Sequence, residues 1–421
     1  MNVGSSNSQI VSPTHPETCI DDLPLDIVEE MIGRLYLADR IRAGSVCKKW
    51  RTITLKKQQI QHAKPQLPWM LIASASCNGD RVSLFSLLEG RSYDFVLPEP
   101  IRGGWCRGSS RGWLVIAREN LDVKKKLQRQ VFLFNPISGA HVELPPISAI
   151  PHFDEFIEKH RRDPFKFPSF IQKIVLSSDD ASTCTVAAWF GGDVPLVLAI
   201  CQANDKQWTI LREADVDNSV ILDFSFSEGI LNVLTTFDGG VEDVPLGVRM
   251  DEVSADFMME LKKNGLAIRI ISAGKFKEEL DFDGIVPYLV NFNGDLLIAI
   301  KWTEKIPGSE YQRPKKFSVY KMKNHTASDV YPMLEPVKSL EDQVLFLGHF
   351  GNNFSVAGKH LKGLGQNCIY FLDDIDAYGD ANCDATIRRD SGLFHLEDER
   401  IKRIFPATNF PLHNCWFLPP N

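Results

Sequence analysis

Apolar residues follow a helical spacing near the start of the chain. From Leu23 to Leu35 they recur at intervals of three and four, which predicts one helix with a single apolar face. Pro24 suits the first turn of that helix, because a missing N–H costs nothing there. Two shorter patterns predict a second helix near Asp39 and a third that carries Trp50. A segment of about 35 residues is too short to bury a core alone, so these apolar residues need further cover.

The pattern then switches to short strand-like runs. Pro65 and Pro68 exclude a helix, and from Trp69 onward apolar, β-branched and aromatic runs alternate with Gly, Asn, Asp and Pro. The runs number about twenty and include WMLIAS from Trp69 and CIYFL from Cys368. They predict an all-β domain of about 350 residues, which is too large for one sandwich.

One internal repeat indicates the architecture of the β domain. Leu84 and Leu133 each begin a Leu-Phe pair that is followed, six residues after the Leu, by a Gly and then by a strand ending in Leu-Pro. The offset of 49 residues is close to the length of a four-stranded propeller blade of the kelch kind. Chance similarity of two hairpins is the alternative, but about 350 residues at about 50 per blade predict a ring of six or seven antiparallel blades. We expect the last strand, near residues 414–418, to lie beside Trp69 and close the ring.

Two segments interrupt the strand-like pattern. FDEFIEKH from Phe153 and SADFMMELKKNG from Ser254 to Gly265 have apolar residues at helical spacing, and we expect helices in both. The predicted fold class is therefore a small all-α domain followed by an all-β propeller of four-stranded blades. The predicted boundaries are a disordered leader over residues 1–20, the helical domain over 21–64 and the propeller over 65–421.

Composition and charge exclude several classes of function. The chain has 421 residues, of which 44% are hydrophobic and 24% are charged, and a net charge of −7. The segment from Asp22 to Ala63 carries eight Lys or Arg and five Asp or Glu, so the rest is acidic and lacks the basic stripe of a nucleic-acid binder. No run of 18 apolar residues is present, and we expect no membrane partner. The polar N-terminus lacks the apolar core of a signal peptide.

The nine cysteines are scattered and contain no C-x-x-C motif. Several lie in apolar runs, as Cys201 does in PLVLAIC. We expect all nine to be free thiols in a protein of the cytoplasm or nucleus.

Several patterns imitate catalytic or ligand-binding motifs but lack required parts. A strand follows the G-x-S-x-G around Ser110, whereas a nucleophile elbow needs a helix there. Asp374 and Asp376 begin like a calcium loop, but Ala385 stands where a bidentate Glu is required. Lys124–Lys126 could be a nuclear-import patch, although a solvated loop is the simpler interpretation. The ten histidines show no zinc spacing, and we predict no catalytic residue, no cofactor and no metal ligand.

The helical segment resembles an F-box. An F-box opens with Leu-Pro, continues as an amphipathic helix and closes with Val-Cys, two basic residues and Trp. Here these are Leu23-Pro24 and Val46-Cys47-Lys48-Lys49-Trp50. The alternative is an ordinary helical cap on a larger domain.

The β domain is similar to a plant family. PWMLIAS at Pro68, VLFLGHFGNNFSVAG at Val344 and CWFLPP at the C-terminus resemble plant F-box proteins with a C-terminal KIB-type β-propeller. The resemblance covers the chain from residue 22 onward. It departs at two lengthened loops, residues 151–170 and 238–265, and their roles do not carry over.

The resemblance implies a function without bond chemistry. It implies the substrate-recognition subunit of an SCF-type ubiquitin ligase, in which the F-box binds the Skp adaptor, and through it cullin, while the propeller holds an unknown target protein. Such a receptor raises the effective concentration of target lysines near a ubiquitin-loaded partner. Two alternatives stay open, namely a propeller enzyme with its active site at the central channel and a scaffold that binds Skp outside any ligase.

Nine residues form the predicted Skp-binding face. Part of this face must hold the helices together and part must be left for a partner, and the sequence does not divide the two sets. Trp50 is the predicted anchor, because buried Trp residues dominate interface energies. The face comprises Leu23, Pro24, Ile27, Val28, Ile32, Leu35, Val46, Cys47 and Trp50.

Overall fold

The computed structural model describes most of the chain in two compact units. One unit lies within Met1–Gln66 and the other within Leu67–Pro420. Among the described residues, none of the helices combines the length and the apolar character that a membrane span requires. The described residues are 23–35, 37–44, 46–55, 68–72, 80–121, 127–161, 166–213, 221–235, 258–263, 266–272, 284–292, 295–307, 312–322, 334–358, 365–372, 391–403 and 415–419. The predicted leader lies outside them.

Three short helices form the described part of the first unit, namely α1 (Leu25–Arg34), α2 (Leu37–Ala43) and α3 (Lys48–Leu55). Pro24 directly precedes α1, and its carbonyl accepts the first helical hydrogen bond from Val28 N at 3.2 Å. Val28 and Ile32 are one turn apart and pack against Trp50 from α3. The apolar spacing of α1 thus forms the small core of this unit.

The second unit is mostly β. In chain order its described strands are β1 (Trp69–Ile72), β2 (Arg81–Ser86), β3 (Arg91–Val96), β4 (Trp105–Ser110), β5 (Trp113–Leu121), β6 (Leu127–Phe134), β7 (His141–Glu143), β8 (Ile171–Leu176), β9 (Thr185–Phe190), β10 (Val197–Gln202), β11 (Thr209–Glu213), β12 (Ile221–Ser227), β13 (Ile230–Thr235), β14 (Met258–Lys263), β15 (Leu266–Ser272), β16 (Gly284–Phe292), β17 (Asp295–Lys305), β18 (Gln312–Met322), β19 (Leu334–Pro336), β20 (Gln343–Leu347), β21 (Asn353–Ala357), β22 (Cys368–Phe371), β23 (Gly392–His395), β24 (Ile401–Lys402) and β25 (Trp416–Phe417). Two helices, α4 (Phe153–Lys159) and α5 (Lys166–Ser169), lie between β7 and β8.

The described strands form four four-stranded sheets and one nine-stranded sheet. The small sheets have the orders β25-β1-β2-β3, β4-β5-β6-β7, β8-β9-β10-β11 and β12-β13-β15-β14. The large sheet has the order β19-β18-β17-β16-β21-β20-β22-β23-β24. In the first sheet, Trp69 pairs with Phe417 and Met70 with Trp416, which confirms the predicted pairing of the two ends of the β domain.

Each sheet packs against the next in a closed cycle. Buried apolar clusters join the β5–β6 region to β8–β9, the β9–β10 region to β12–β13, and β13 and β15 to β16–β17. Further clusters join β16–β18 to β20 and β22, and these two strands to β1 and β25. A hydrogen bond from the Ser109 hydroxyl of β4 to the Trp416 carbonyl of β25 completes the cycle. The predicted propeller-like architecture is therefore present, and closure protects the sheet edges.

The prediction of purely antiparallel blades is wrong in three places. β13 pairs parallel with β15, β16 with β21, and β20 with β22. Parallel neighbours need a long connection, and β14 is part of the connection from β13 to β15. The short strand-turn-strand repeat in the sequence carries no information about such remote pairings.

The predicted helix from Ser254 to Gly265 is also wrong. Residues 258–263 form β14, which pairs antiparallel with β15 so that Lys263 stands opposite Leu266. The two residues between this pair are Asn264 and Gly265, the dipeptide that two-residue hairpins favour. The pairing of β14 with β15 decides the conformation of this segment, although its apolar residues have helical spacing. The earlier part of this lengthened loop lies outside the described residues.

The other lengthened loop contains the predicted helix at Phe153, which α4 confirms. Phe153 and Phe156 of α4 both lie 5.2 Å, centroid to centroid, from Phe170, which stacks on Phe190 of β9 at 5.7 Å. All four rings are buried in the cluster between the second and third sheets. The described residues between 151 and 170 therefore enlarge the core of the ring.

Candidate functional site

The structure divides the nine predicted Skp-binding residues into two sets. Val28 and Ile32 are fully buried and Trp50 is 6% exposed, so these three form the core of the helical unit. Leu23, Leu35 and Cys47 pack partly buried against that core. The structure thus places Trp50, the predicted anchor, inside the unit and not on its surface.

The remaining predicted residues are on the surface. Pro24 is exposed, Ile27 is 46% exposed and Val46 is 54% exposed. Leu25 at 53% and Met31 at 44% are exposed as well, and the predicted face did not include them. The four-residue spacing of Ile27 and Met31 was the available signal, because it marks a second stripe on α1. Single exposed apolar residues are common on protein surfaces, whereas a group of them on a small unit is typical of an interaction surface.

A lysine of the closing motif fixes the start of α1. Lys49 in α3 donates a hydrogen bond from Nζ to the Leu23 carbonyl at 2.7 Å. The Leu-Pro and Val-Cys-Lys-Lys-Trp segments are therefore joined in space by two residues that lie 26 positions apart along the chain. This contact positions Pro24 and Leu25 at the helix entrance.

The centre of the ring holds a buried ion pair. Lys173 of β8 lies with Nζ 2.5 Å from Asp223 Oδ1 of β12, and their side chains are 1% and 6% exposed. Asp223 Oδ2 accepts hydrogen bonds from Leu289 N of β16 at 2.7 Å and from Asn353 Nδ2 of β21 at 3.2 Å. One carboxylate thus connects four strands from three sheets. Buried charges are tolerated when they are paired and hydrogen-bonded in this way.

The segment between β20 and β21 fills part of the same centre. Ser109 of β4 forms an isolated bridge with Gly351, and Asn352 N donates to the Ser109 carbonyl at 3.3 Å. Arg107 of β4 lies over the Phe350 ring, 5.1 Å from its centroid, and donates to the Ile171 carbonyl at 2.7 Å. A side chain at Gly351 would meet the Ser109 carbonyl at 2.7 Å, so only glycine allows this close approach.

The side chain of Ser110 has a structural role in the hairpin of β4 and β5. It ends β4, its buried hydroxyl oxygen accepts a hydrogen bond from Leu176 N at 2.9 Å, and a two-residue turn leads into β5. A nucleophile elbow would need a helix after the serine. The G-x-S-x-G pattern is therefore part of a hairpin.

A cavity of about 260 Å³ with a mostly apolar accessible lining lies at the ends of the central strands. Two of its residues, Arg111 and Glu228, each begin a two-residue hairpin turn and have φ angles of 48° and 51°. The sequence analysis missed these turns, because Arg-Gly and Glu-Gly are not the dipeptides that such turns favour. The cavity is lined by Ser109, Ser110, Arg111, Ser227, Glu228, Asn291, Asn352, Asn353, Phe354, Trp416 and Leu418.

The described part of the chain has free thiols but no cluster of metal ligands. There, no three His, Cys, Asp or Glu side chains come together as metal ligands. Six cysteines in this part are free thiols, and burial raises the pKa of Cys184 to about 11 and that of Cys368 to about 12. The calcium-like Asp374 segment, Lys124–Lys126 and three further cysteines lie outside the described residues.

Comparisons with known proteins agree with this geometry. The model of the KIB1-4 beta-propeller family matches residues 84–395. F-box protein At4g22660 of Arabidopsis thaliana is 22% identical over 94% of this chain and 96% of the relative. F-box protein At4g12382 of the same plant is 29% identical over 30% of this chain and 80% of the relative. F-box/kelch-repeat protein At3g18720, also from Arabidopsis thaliana, is 26% identical over 32% of this chain and 35% of the relative.

Among solved structures, the chain is similar to an arabinanase of Bacillus subtilis at 9% identity. The similarity covers 53% of this chain and 76% of that one, with a TM-score of 0.23. Such a score is too low to establish a shared fold or activity.

Proposed function

Because the chain belongs to the KIB1-4 beta-propeller family, we propose that it is the substrate-recognition subunit of an SCF-type ubiquitin ligase. The observation that carries the proposal is the set of exposed apolar side chains on the helical unit, next to its Leu-Pro and Val-Cys-Lys-Lys-Trp segments. The F-box names of the relatives support the same assignment, since one of them spans nearly the whole chain.

In this proposal residues 21–64 are the F-box. The exposed side chains of Pro24, Leu25, Ile27, Met31 and Val46 contact the Skp adaptor, while Trp50 supports them from within. Each Å² of apolar area removed from water contributes about 25 cal/mol to the free energy of binding. Burial of these few side chains against Skp would therefore anchor the complex. Skp in turn links the chain to cullin.

Residues 65–421 form the target-binding propeller in this proposal. Among the described strands, the nine-stranded sheet can be counted as two blades joined by the β16–β21 pair, which would make a ring of six blades. A rigid ring suits a receptor, because its loops keep fixed positions relative to one another. In this proposal the chain acts in the cytoplasm or nucleus.

The centre of the ring supports a non-catalytic role over the alternative of a channel enzyme. Lys173 and Asp223 are buried and paired with each other, and Ser110 is bonded to the main chain. None of the three presents a reactive atom to a substrate in the way that acid–base or nucleophilic catalysis requires. The target in this proposal is bound and presented rather than chemically changed.

Capture of the full chain from plant cells tests the proposal. The tagged chain is purified under proteasome inhibition and probed for Skp and cullin, beside a Leu23→Ala, Pro24→Ala variant. We expect both proteins with the wild-type chain and neither with the variant. Skp without cullin would support the scaffold instead, and absence of both would contradict an adaptor role.

A further inference from the structure

The exposed apolar side chains of the helical unit lie on two separate segments. Leu25, Ile27 and Met31 lie on α1, whereas Val46 lies between α2 and α3. A partner that contacts both segments needs them in one fixed arrangement, and ordering them during binding would cost conformational entropy. Contacts that hold both segments in advance therefore raise the affinity for such a partner.

Helix α3 provides a frame for these contacts. Trp50 and Ile53 of α3 are buried in the apolar core of the unit, so the inner face of this helix is anchored. An α-helix turns by about 100° per residue, so the two neighbours of Trp50 project to either side of the inner face. These neighbours are Lys49 and Arg51.

Lys49 reaches the beginning of α1. Its Nζ atom donates a hydrogen bond to the Leu23 carbonyl at 2.7 Å. The helix itself does not use this carbonyl, because the bond from Val28 N is accepted by the carbonyl of Pro24. A peptide unit is planar, so a hydrogen bond to the Leu23 oxygen also fixes the plane that contains the Pro24 nitrogen. Lys49 thereby orients Pro24 and, next to it, the exposed Leu25.

Arg51 reaches the end of α2. Its Nε atom donates a hydrogen bond to the Gly44 carbonyl at 3.2 Å. Gly44 directly follows α2, and Val46 N donates to the Ala43 carbonyl at 3.1 Å. One main-chain bond and one guanidinium therefore hold the turn that carries the exposed Val46 side chain.

The neighbouring lysine has a different position. Lys48 is exposed, and its side chain forms no hydrogen bond or ion pair with any residue that the structure describes. Both lysines carry the same charge, so charge alone does not distinguish them. The contact with the Leu23 carbonyl distinguishes Lys49.

We propose that Lys49 and Arg51 are positioning residues of the Skp-binding face, which raise the affinity for the adaptor by holding the Leu23 and Gly44 carbonyls in place. The inference rests on the proposed receptor function and specifies how the face keeps its binding shape. In this assignment α3 contributes more than its buried Trp50, because it fixes both exposed segments relative to one core.

Hydrogen exchange of the free full chain tests the positioning directly. Lys49→Met keeps an apolar stem and removes the donors, so the Val28 amide in the first turn of α1 should exchange at least about fivefold faster. Arg51→Met should have the same effect on the Val46 amide. Lys48→Met is the matched control and should change neither rate.

Calorimetry with purified Skp measures the consequence for binding. Lys49→Met and Arg51→Met should each weaken binding at least about fivefold, with little change in melting temperature because the core residues are retained. Lys49→Arg should restore most of the affinity, since a guanidinium also donates hydrogen bonds. Lys48→Met should leave binding unchanged.

The two measurements separate the possible failures. Unchanged exchange in both positioning variants, or equal effects of Lys48→Met, would overturn the inference. Weaker binding without faster exchange would mean that the cations contact the adaptor directly, which would also overturn the assignment of a positioning role. Absence of Skp binding by the wild-type chain would contradict the receptor proposal, whereas normal wild-type binding with unchanged affinity in both variants would overturn this inference alone.

Discussion

Asp223 shows at the residue scale how the ring is held together. Its carboxylate accepts hydrogen bonds from Lys173 Nζ, Phe224 N, Leu289 N and Asn353 Nδ2. These donors come from β8, β12, β16 and β21. A single side chain therefore couples strands that are far apart in sequence.

The first prediction concerns this pair. Asp223→Asn should lower the free energy of unfolding by about 3–5 kcal/mol, because it leaves the Lys173 charge buried without a counter-charge. Denaturation by guanidinium chloride measures the loss. A Lys173→Met, Asp223→Asn double variant should lose less than the single variant, since no unpaired charge remains. Strictly additive losses would show that the two residues do not act as a pair.

The second prediction concerns the buried thiols. Burial raises the pKa of Cys184 from 9.0 to about 11 and that of Cys368 to about 12. Both thiols stay protonated in the folded state where the unfolded state has lost the proton. Their contribution to stability is complete below pH 9 and is lost as the pH rises toward the folded pKa values. Denaturation midpoints measured across this window should fall, and a Cys184→Ala, Cys368→Ala variant should show a flatter decline; an unchanged slope would contradict the assignment.

The predicted Skp-binding face includes both buried and exposed residues. The resemblance identified the segment from Leu23 to Trp50, but it did not separate Val28, which is buried, from Ile27, which is 46% exposed. The two residues are adjacent, and helix rotation about the core decides which one faces inward. That rotation depends on α3, so the spacing within α1 alone could not fix it.

At the scale of elements, the sequence predicted features that one short segment or the closure of the ring determines. The helix at Phe153 and the pairing of Trp69 with the last strand were predicted from spacing and from the need to close the ring. The parallel partners of β13, β16 and β20 were not, because such pairs join segments through long connections. Asn264-Gly265 was a hairpin signal that helical spacing obscured.

The third prediction tests the close approach of β4 and the segment before β21. Gly351→Ala should destabilise the propeller by about 1–3 kcal/mol, since its Cβ would lie 2.7 Å from the Ser109 carbonyl. Gly348→Ala is the control, because the nearest atoms to its Cβ would be at an ordinary 3.7 Å. Thermal unfolding should separate the two variants. Equal melting temperatures would mean that the approach is not tight.

For the whole molecule, closure of the ring depends on a very short strand. Trp416 of β25 packs edge-on against Phe346 at 5.1 Å and donates from Nε1 to the Leu347 carbonyl at 2.9 Å. Leu71 N donates to the Cys415 carbonyl at 2.9 Å. The final residues thus join the first sheet to the large one.

The fourth prediction follows from this closure. Trp416→Ala should lower the free energy of unfolding by roughly 3–5 kcal/mol, because it leaves a large cavity between two sheets. Removal of residues 415–421 should lower the free energy of unfolding by at least the same amount. Removal of 420–421 alone should change the free energy of unfolding little. Limited proteolysis and denaturation measure both truncations. A stable ring without residues 415–421 would contradict the closure.

The central claim is that the helical unit binds the Skp adaptor through exposed apolar side chains. The most direct measurement is the dissociation constant of the full chain for purified Skp by calorimetry. Ile27→Asp with Val46→Asp should weaken binding at least about tenfold, or about 1.4 kcal/mol, with the melting temperature unchanged. Val96→Asp with Leu121→Asp, two residues 57% and 63% exposed in the β unit, should leave binding unchanged. No binding by the wild-type chain, or equal loss in both variants, would contradict the claim.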